Sequence, residues 1–216
     1  MNVCPSLLER LHWLGHASFR LDGPPTIYFD PWRLKGKLPQ ADVILISHEH
    51  GDHCSPEDVE RISGPETVIV TIAQAAKELR GDVRVLEPGG RVVVGEVEVE
   101  AVPAYNVNKF RSPGVPFHPR EAGHVGYVVA VGEERVYFAG DTDYIPEMAG
   151  LQCDVALLPV GGTYTMDAGE AAQAAGDIGP KAAVPMHWGA GVVGERIDAE
   201  RFARLWDGET VILEVE

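Results

Sequence analysis

The chain has 216 residues, 45% of them hydrophobic, which predicts a packed globular fold in a single domain spanning residues 1–216. No apolar run approaches the roughly 20 residues that a membrane helix needs, and Met1–Arg10 lacks the pattern of a secretory signal, so the cytoplasm is expected and a membrane partner is not. The net charge of −15 argues against nucleic acid as a partner, because a polyanion would be repelled.

Short β-type runs separated by glycine and proline turns recur along the chain. They predict strands near residues 11–13, 18–21, 26–29, 43–46, 67–70, 83–86, 91–94, 97–102, 125–131, 135–139, 155–158, 182–185 and 210–213. Segments 26–29 and 97–102 alternate in character and are expected to be half-buried. Segments 43–46 and 155–158 are continuously apolar, which predicts burial on both faces.

Four helices are predicted, at residues 56–62, 72–79, 168–178 and 199–205. Ser55 and Pro56 form an N-cap and first-turn signal for the first helix. Asp167 and Glu170 have the spacing of a capping box that opens the third, alanine-rich helix. Helices that alternate with strands predict a mixed α and β architecture.

Residues 105–123 form the one long stretch without periodicity. Loops longer than about 12–15 residues are usually functional or mobile. This loop carries Lys109 and Arg111, with Arg120 near its end, and these cations could bind a phosphate-bearing substrate. An ordinary solvated loop is the alternative.

The three cysteines, Cys4, Cys54 and Cys153, are odd in number and widely spaced, so no disulfide framework is expected. Cys54 adjoins a histidine-rich segment. We interpret it as a small packed residue rather than a ligand, because free cysteine usually behaves as a buried hydrophobic residue.

The histidine-rich segment, His48-Glu49-His50-Gly51-Asp52-His53, is the strongest functional signal in the chain. It directly follows the apolar run 43–46, so a rigid strand would present its side chains. Imidazole and carboxylate groups suit zinc, manganese or iron. The segment therefore predicts a metal site rather than a polar surface turn.

Two further metal-capable side chains follow predicted strands. Asp141 comes after strand 135–139 and Gly140, and His187 comes after strand 182–185 and Met186. Ligands gather at the carboxyl edge of α/β sheets. Asp141 and His187 are therefore expected to join the histidine-rich segment at one metal site.

Together, these motifs resemble the metallo-β-lactamase superfamily, in particular a branch of small metal-dependent hydrolases that includes the L-ascorbate-6-phosphate lactonase type. The resemblance rests on His48-x-His50-x-Asp52-His53, Gly140-Asp141-Thr142 and Pro185-Met186-His187. Supporting segments are Gly15-His16-Ala17-Ser18, Asp30-Pro31, Pro159-Val160-Gly161-Gly162 and Tyr164-Thr165-Met166.

The resemblance implies an α+β fold, a four-layer αββα sandwich with the site at one edge of two facing sheets. It implies a first metal position held by His48 and His50. It implies a second position held by Asp52, His53 and His187, with Asp141 bridging the two.

The sequence departs from the family where a third histidine of the first position is expected. Residues 102–106 contain Tyr105 and Asn106 but no histidine. His118, His16 and His124 are candidates for the missing donor. Alternatively, the first position is weak and Tyr105 and Asn106 form polar walls of the site. Trp188 either lines the pocket or packs against the sheet.

We therefore predict a metal-dependent hydrolase that acts on an ester, lactone or phosphodiester bond of a small molecule. One or two divalent ions would activate water, with zinc the first choice and manganese, nickel or iron as alternatives. Asp52 would orient or deprotonate that water. A non-catalytic metal-binding protein and an iron-dependent redox protein on the same fold are the alternatives. The sequence leaves a homo-oligomer open.

Overall fold

The computed structural model describes residues 5–216, so Cys4 lies outside the described residues. A first sheet contains six strands that neighbour one another in chain order. Strands β1 to β3 pair antiparallel, and β3 to β6 pair parallel. The strands are β1 (Leu11–Gly15), β2 (Ser18–Leu21), β3 (Ile27–Phe29), β4 (Val43–Leu45), β5 (Val68–Thr71) and β6 (Asp82–Val85).

The chain from residue 91 onward forms the remaining strands, which are β7 (Arg91–Val94), β8 (Val97–Pro103), β9 (Phe110–Ser112), β10 (Val115–Pro116), β11 (Val125–Val131), β12 (Glu134–Phe138), β13 (Val155–Pro159), β14 (Ala182–Met186) and β15 (Glu209–Thr210). Seven of them build a second sheet in the order β15-β14-β13-β12-β11-β8-β7. Strands β12 to β15 run parallel. Strands β9 and β10 form a separate hairpin.

Three α-helices occur in the described residues: α1 (Pro56–Ile62), α2 (Ala168–Ile178) and α3 (Arg196–Leu205). The predicted caps are confirmed. The Ser55 side chain accepts a hydrogen bond from the backbone of Asp58, and Asp167 forms a capping box with Glu170. Helices α2 and α3 contact each other and pack on β13 and β14.

The two sheets face each other across the hydrophobic core. The rings of Phe29 on β3 and Phe138 on β12 lie 5.3 Å apart between their centroids. The buried Tyr127 hydroxyl on β11 donates a hydrogen bond of 2.8 Å to the carbonyl of Ile46, just beyond β4. Helices outside two facing sheets confirm the predicted αββα architecture.

Several sequence predictions need correction. The predicted helix 72–79 is wrong: only a 3₁₀ turn, Ala75–Glu78, forms there. The connection from β5 to β6 comprises only residues 72–81, so the helical stretch ends after one turn. Strand β3 is fully buried rather than half-buried. Phe29 packs on Phe138 of the second sheet, and Tyr28 on the other face donates to the Pro39 carbonyl, so both faces are covered. Helix α3 begins earlier than predicted, at a capping box formed by Glu195 and Asp198.

The segment 105–123 is more ordered than its sequence predicts. It contains the β9–β10 hairpin and a 3₁₀ turn at Arg120–Ala122. All three residues of β9 are exposed, so no alternation of polar and apolar residues marks the strand. Among the described residues, no helix has the length and apolar character needed to cross a bilayer.

Strand ends from both sheets meet at one edge of the sandwich. Asp30 follows β3, His48 follows β4, Asp141 follows β12 and His187 follows β14. The backbone amide of His187 donates to the carbonyl of His16, at 3.0 Å, and so joins the sheets directly at this edge.

Gly140 is required at this junction. Its φ is +64°, and a Cβ atom there would lie 2.8 Å from the Val125 carbonyl oxygen and 3.2 Å from Cβ of Ser47. A side chain would therefore push apart the two strand ends that carry His48 and Asp141.

Candidate metal centre

A first group of donors gathers His48, His50 and His118. The Nδ1 atom of His50 lies 3.0 Å from Nε2 of His48 and 3.3 Å from Nε2 of His118. Nε2 of His118 is also 3.4 Å from Oδ2 of Asp141. One ion could therefore contact three imidazoles and one carboxylate oxygen.

A second group gathers His53, His187, Asp52 and His16 on the other side of Asp141. Oδ1 of Asp141 lies 3.3 Å from Nε2 of His53 and 3.1 Å from Nε2 of His187. Oδ2 of Asp52 lies 3.2 Å from Nε2 of His16 and 3.8 Å from Nε2 of His53. His16, Asp52, His53 and His187 each offer a donor atom within 4.8 Å of the others.

The second group contains buried polar atoms without a well-formed hydrogen bond. Nε2 of His53 and Nε2 of His187 lie near Oδ1 of Asp141, yet none of these three atoms has hydrogen-bond geometry with any described residue. Buried polar atoms in folded proteins are nearly always partnered. Three such atoms aimed at one point, all of types that bind divalent ions, fit a metal ion.

Asp30 holds the donors in place from behind. Its buried carboxylate accepts a hydrogen bond from Nδ1 of His53, at 2.7 Å, and two from Ser47, at 2.7 Å from the backbone N–H and 2.6 Å from Oγ. Ser47 Oγ in turn lies 2.9 Å from Nδ1 of His48. Asp30 therefore fixes the ring of His53 directly and that of His48 through Ser47, which leaves each Nε2 facing the centre.

Asn106 performs the same task for His118. Its Oδ1 lies 3.0 Å from Nδ1 of His118 and accepts the backbone N–H of His118 at 2.8 Å. The Asn106 amide donates to Oδ1 of Asp143 at 2.9 Å, and the other Asp143 oxygen accepts backbone amides of residues 107–109. Asn106 is thus a positioning residue for His118.

The pKa directions of His16, His118 and Asp141 favour metal binding, whereas the raised pKa of His53 means that an ion would have to displace its proton. Burial lowers the pKa of both His16 and His118 to about 4, so these imidazoles are neutral at neutral pH. Burial acts to raise the pKa of Asp141, but His187 and His53 outweigh it and hold the pKa well below its usual range. Burial acts to lower the pKa of His53, but the carboxylates of Asp141 and Asp30 outweigh it and raise the pKa. Neutral imidazole and ionised carboxylate are the forms that bind metals.

The three histidine candidates for the missing donor occupy different places. His118 lies in the first group, and His16 lies in the second group beside Asp52. His124 is buried 4.8 Å from the His48 ring, between ring centroids, and its Nε2 is 3.2 Å from Oε2 of Glu49. His48, His118 and His124 each offer a donor atom within 4.8 Å of the others, and of the two candidates among them His118 is the one that also lies 3.3 Å from His50 and 3.4 Å from Asp141.

Tyr105 and Trp188 point elsewhere. The Tyr105 hydroxyl donates to Glu147 and accepts from Arg120, at 3.0 and 3.3 Å. Trp188 packs on Trp13, with ring centroids 4.4 Å apart, and donates to the Pro185 carbonyl. Of the two alternatives for Trp188, packing against the sheet rather than lining the pocket of the metal centre therefore describes its main contacts.

A cavity of about 230 Å³ opens onto the donors. It is lined by His50, Asp52, Phe117, His118, Asp141, Tyr164 and Val192. Phe117 and Val192 were not singled out in the sequence, and Tyr164 appeared there only as part of a supporting motif. Their place at the cavity depends on how two loops fold over the sheet edge, for which the sequence has no periodic signal.

Two of the three loop cations are neutralised. Lys109 pairs with Glu170 at 2.6 Å, and Arg120 pairs with Glu147 at 2.8 Å. Arg111 instead lies over the Phe117 ring, 5.8 Å from its centroid, and donates to the Phe117 carbonyl. Of the three, Arg111 is the cation that adjoins a residue of the cavity.

Comparison with known proteins identifies the family. Residues 10–187 match the Beta-lactamase superfamily domain. A UPF0173 metal-dependent hydrolase of Thermoplasma acidophilum is 32% identical over 212 residues, which cover 91% of this chain and 90% of that protein. A crystal structure from Parabacteroides distasonis, of a protein assigned to the metal-dependent hydrolases, has a TM-score of 0.82 at 34% identity and covers 95% of this chain and 93% of the other.

A diiron β-hydroxylase of Streptomyces venezuelae shares the fold at 18% identity, with a TM-score of 0.75 over 95% of this chain and 52% of the other. The fold alone therefore does not select a reaction, whereas the family match extends along almost the whole sequence. The chain belongs to the UPF0173 metal-dependent hydrolases of the metallo-β-lactamase superfamily.

Proposed function

We propose that this hydrolase uses two divalent ions, with zinc the first choice, to cleave an ester, lactone or phosphodiester bond of a small molecule. His48, His50 and His118 would hold the first ion. His53, His187 and Asp52 would hold the second, with His16 beside Asp52. The relation to the ascorbate-6-phosphate lactonase branch stays a prediction.

The position of Asp141 carries the two-ion proposal. One of its oxygens lies 3.4 Å from His118 in the first group, and the other lies 3.1 Å from His187 in the second. A single buried carboxylate between two sets of imidazoles suits a bridging ligand. A purely structural ion would need only one such set.

Bound divalent ions supply an activated water at neutral pH and polarise the oxygen of the bond to be cleaved. Asp52 is the residue best suited to orient that water and to accept its proton on a carboxylate oxygen. Its side chain is 28% exposed and lines the cavity, whereas the side chain of Asp141 is only 4% exposed. Nε2 of His16 fixes the Asp52 carboxylate from the protein side.

The cavity supports a small substrate. Its volume of about 230 Å³ leaves room for the reacting group and its immediate substituents. Phe117 and Tyr164 pack edge to face at its wall, with centroids 4.8 Å apart, and offer an apolar surface. Arg111, adjacent to Phe117, is the cation available for an anionic substituent.

Metal stoichiometry tests the proposal directly. Zinc-loaded protein should contain two ions per chain by elemental analysis, and His118→Ala and His187→Ala should each retain one. His12→Ala is a matched control, because His12 pairs with Asp22 and Glu216 outside the cluster, and it should retain two. A protein that binds no metal would refute the metal site.

Turnover tests the assignment of roles. Asp52→Ala and His48→Ala should lose activity on whichever lactone, phosphodiester or ester the wild type cleaves from a panel. Full turnover by both variants would refute these roles. An iron absorption signal with oxygen consumption, and no hydrolysis, would favour the redox alternative. Two bound ions with no hydrolysis of any panel member would favour the non-catalytic alternative.

A further inference from the structure

His16 borders a second cavity, of about 480 Å³, which we name the tryptophan groove. Its aromatic residues are Trp13, Trp32 and Trp188, and its cationic residues are Arg33 and Lys35. Asp52, which lines the cavity at the metal centre, lies 3.2 Å from His16. The two cavities therefore adjoin through one histidine, yet they differ in size and chemistry.

Two of the three indole N–H groups of the groove donate to backbone carbonyls. Trp13 donates to the His16 carbonyl at 2.9 Å, and Trp188 donates to the Pro185 carbonyl at 3.0 Å. The Trp32 ring lies 5.4 Å from the His16 ring, between centroids. Trp13 and Trp188 are 3% and 7% exposed and pack on each other, so the half-buried Trp32 offers a ligand most of the indole surface in the groove.

The groove's cations lack carboxylate partners. Eight other arginine and lysine side chains pair with a carboxylate within 4.0 Å. Within residues 5–216, Arg33 and Lys35 are among the exposed cations that form no such pair, so both remain available to an anion. The Arg33 guanidinium lies 4.1 Å from the Trp32 ring centroid and donates to the Ala190 carbonyl at 3.1 Å.

The backbone around the groove is strained. Five non-glycine residues of the described chain have positive φ: His16, Asp30, Arg33, His187 and Ala190. Three of them line the groove, and His187 directly precedes Trp188. Left-handed backbone at non-glycine residues persists where the surrounding structure enforces it, and such residues cluster at functional sites.

We propose that the tryptophan groove binds a small organic anion with a flat, apolar body. The ring of the ligand would lie against Trp32 and the apolar edge of the groove, and its anionic group would pair with Arg33 and Lys35. Pockets of about 300–1,000 Å³ with apolar walls and a few polar groups are typical of small-molecule sites. The proposal requires neither bound ions nor turnover, so it stands or falls independently of the proposed hydrolysis.

A pair of probes that differ only in charge tests the groove. We expect zinc-loaded protein to bind 1-naphthalenesulfonate with one site per chain by isothermal titration calorimetry. The neutral 1-naphthalenemethanol should bind about tenfold more weakly, because it lacks the charge that would pair with Arg33 and Lys35. The double variant Arg33→Gln/Lys35→Gln should bind the sulfonate as weakly as wild type binds the alcohol.

Two further variants assign the effect to the groove. Lys37→Gln changes an exposed cation of the same loop that does not line the groove, and it should bind the sulfonate like wild type. Trp32→Leu should weaken both probes, because it removes apolar surface rather than charge. Thermal melting of each variant reports that the fold is intact.

Two results would overturn the proposal. One is unchanged sulfonate binding by the Arg33→Gln/Lys35→Gln variant. The other is loss of sulfonate binding when the ions are removed by a chelator while the protein stays folded at the assay temperature, because the probe would then bind the metal centre.

Discussion

Asp30→Asn separates the role of the supporting carboxylate from that of the metal ligands. Asn has nearly the same shape as Asp, but only one of its two terminal atoms can accept a hydrogen bond. The backbone N–H of Ser47 needs that acceptor at 2.7 Å, so the amide nitrogen would take the place of Oδ2. It would then donate to Nδ1 of His53 and leave the imidazole proton on Nε2, the atom that faces Asp141.

The expected loss of zinc affinity follows from the replacement of the acceptor Oδ2 by an amide nitrogen. A hydrogen bond to a charged group contributes about 1.5–3 kcal/mol, which corresponds to roughly ten- to hundredfold in affinity. Loss of a hydrogen-bond partner behind a metal ligand typically costs about 10–100-fold in metal affinity. We therefore expect Asp30→Asn to weaken binding of one zinc ion by this factor, measured by competition with a chromophoric chelator.

A matched control shares the chemistry but not the location. Asp154 accepts the backbone N–H of Arg135 at 2.8 Å and pairs with Lys181 at 2.7 Å, outside the donor cluster. Asp154→Asn should bind zinc like wild type. If Asp30→Asn binds both ions as tightly as Asp154→Asn does, Asp30 does not determine which ring nitrogen of His53 carries the proton.

Three further predictions follow from single residues. Asn106→Ala should weaken one of two zinc ions by about 10–100-fold in chelator competition, because it frees the ring of His118, and unchanged affinity for both would contradict this. Gly140→Ala should lower the free energy of unfolding in urea by about 1–3 kcal/mol, since its φ is +64° and its Cβ would overlap the Val125 carbonyl; wild-type stability would show that the junction can relax. Burial acts to raise the pKa of Glu170, but hydrogen bonds, first that of Lys109, outweigh it and lower the pKa below 4.5. The stabilisation from ionised Glu170 is therefore complete above pH 4.5 and is lost as the pH falls below that value. The free energy of unfolding of Glu170→Gln should depend less on pH in that range than that of the wild type. An identical pH profile for the two proteins would refute this role of Glu170.

Much of the fold was predictable because local patterns and tertiary structure agree. The apolar run before His48 forms a buried strand, and the motif emerges at its carboxyl end as expected. The capping signals at Ser55 and Asp167 start helices where predicted. The helix predicted at 72–79 failed because its length was limited by the short path between two parallel strands, which composition does not reveal.

His118, the proposed third donor of the first position, shows what a local sequence pattern does not predict. His118 reaches the site because residues 105–123 fold back, with the amide of Asn106 bonded to the carbonyl of His118 at 2.8 Å. Nothing in the spacing of these two residues distinguishes His118 from His16 or His124. Asp30 did carry a signal, since it too follows a strand, but its role depends on contacts with residues 17 and 23 positions later.

The donors come from both halves of the sandwich: His48 follows a strand of one sheet, whereas Asp141 and His187 follow strands of the other. An ion held between them would act as a noncovalent cross-link between the sheets. A ligand that binds only the folded state at 100 times its Kd adds about 2.7 kcal/mol of stability. Chelation should therefore lower the melting temperature as well as abolish activity, and neither half of the chain alone would assemble the centre.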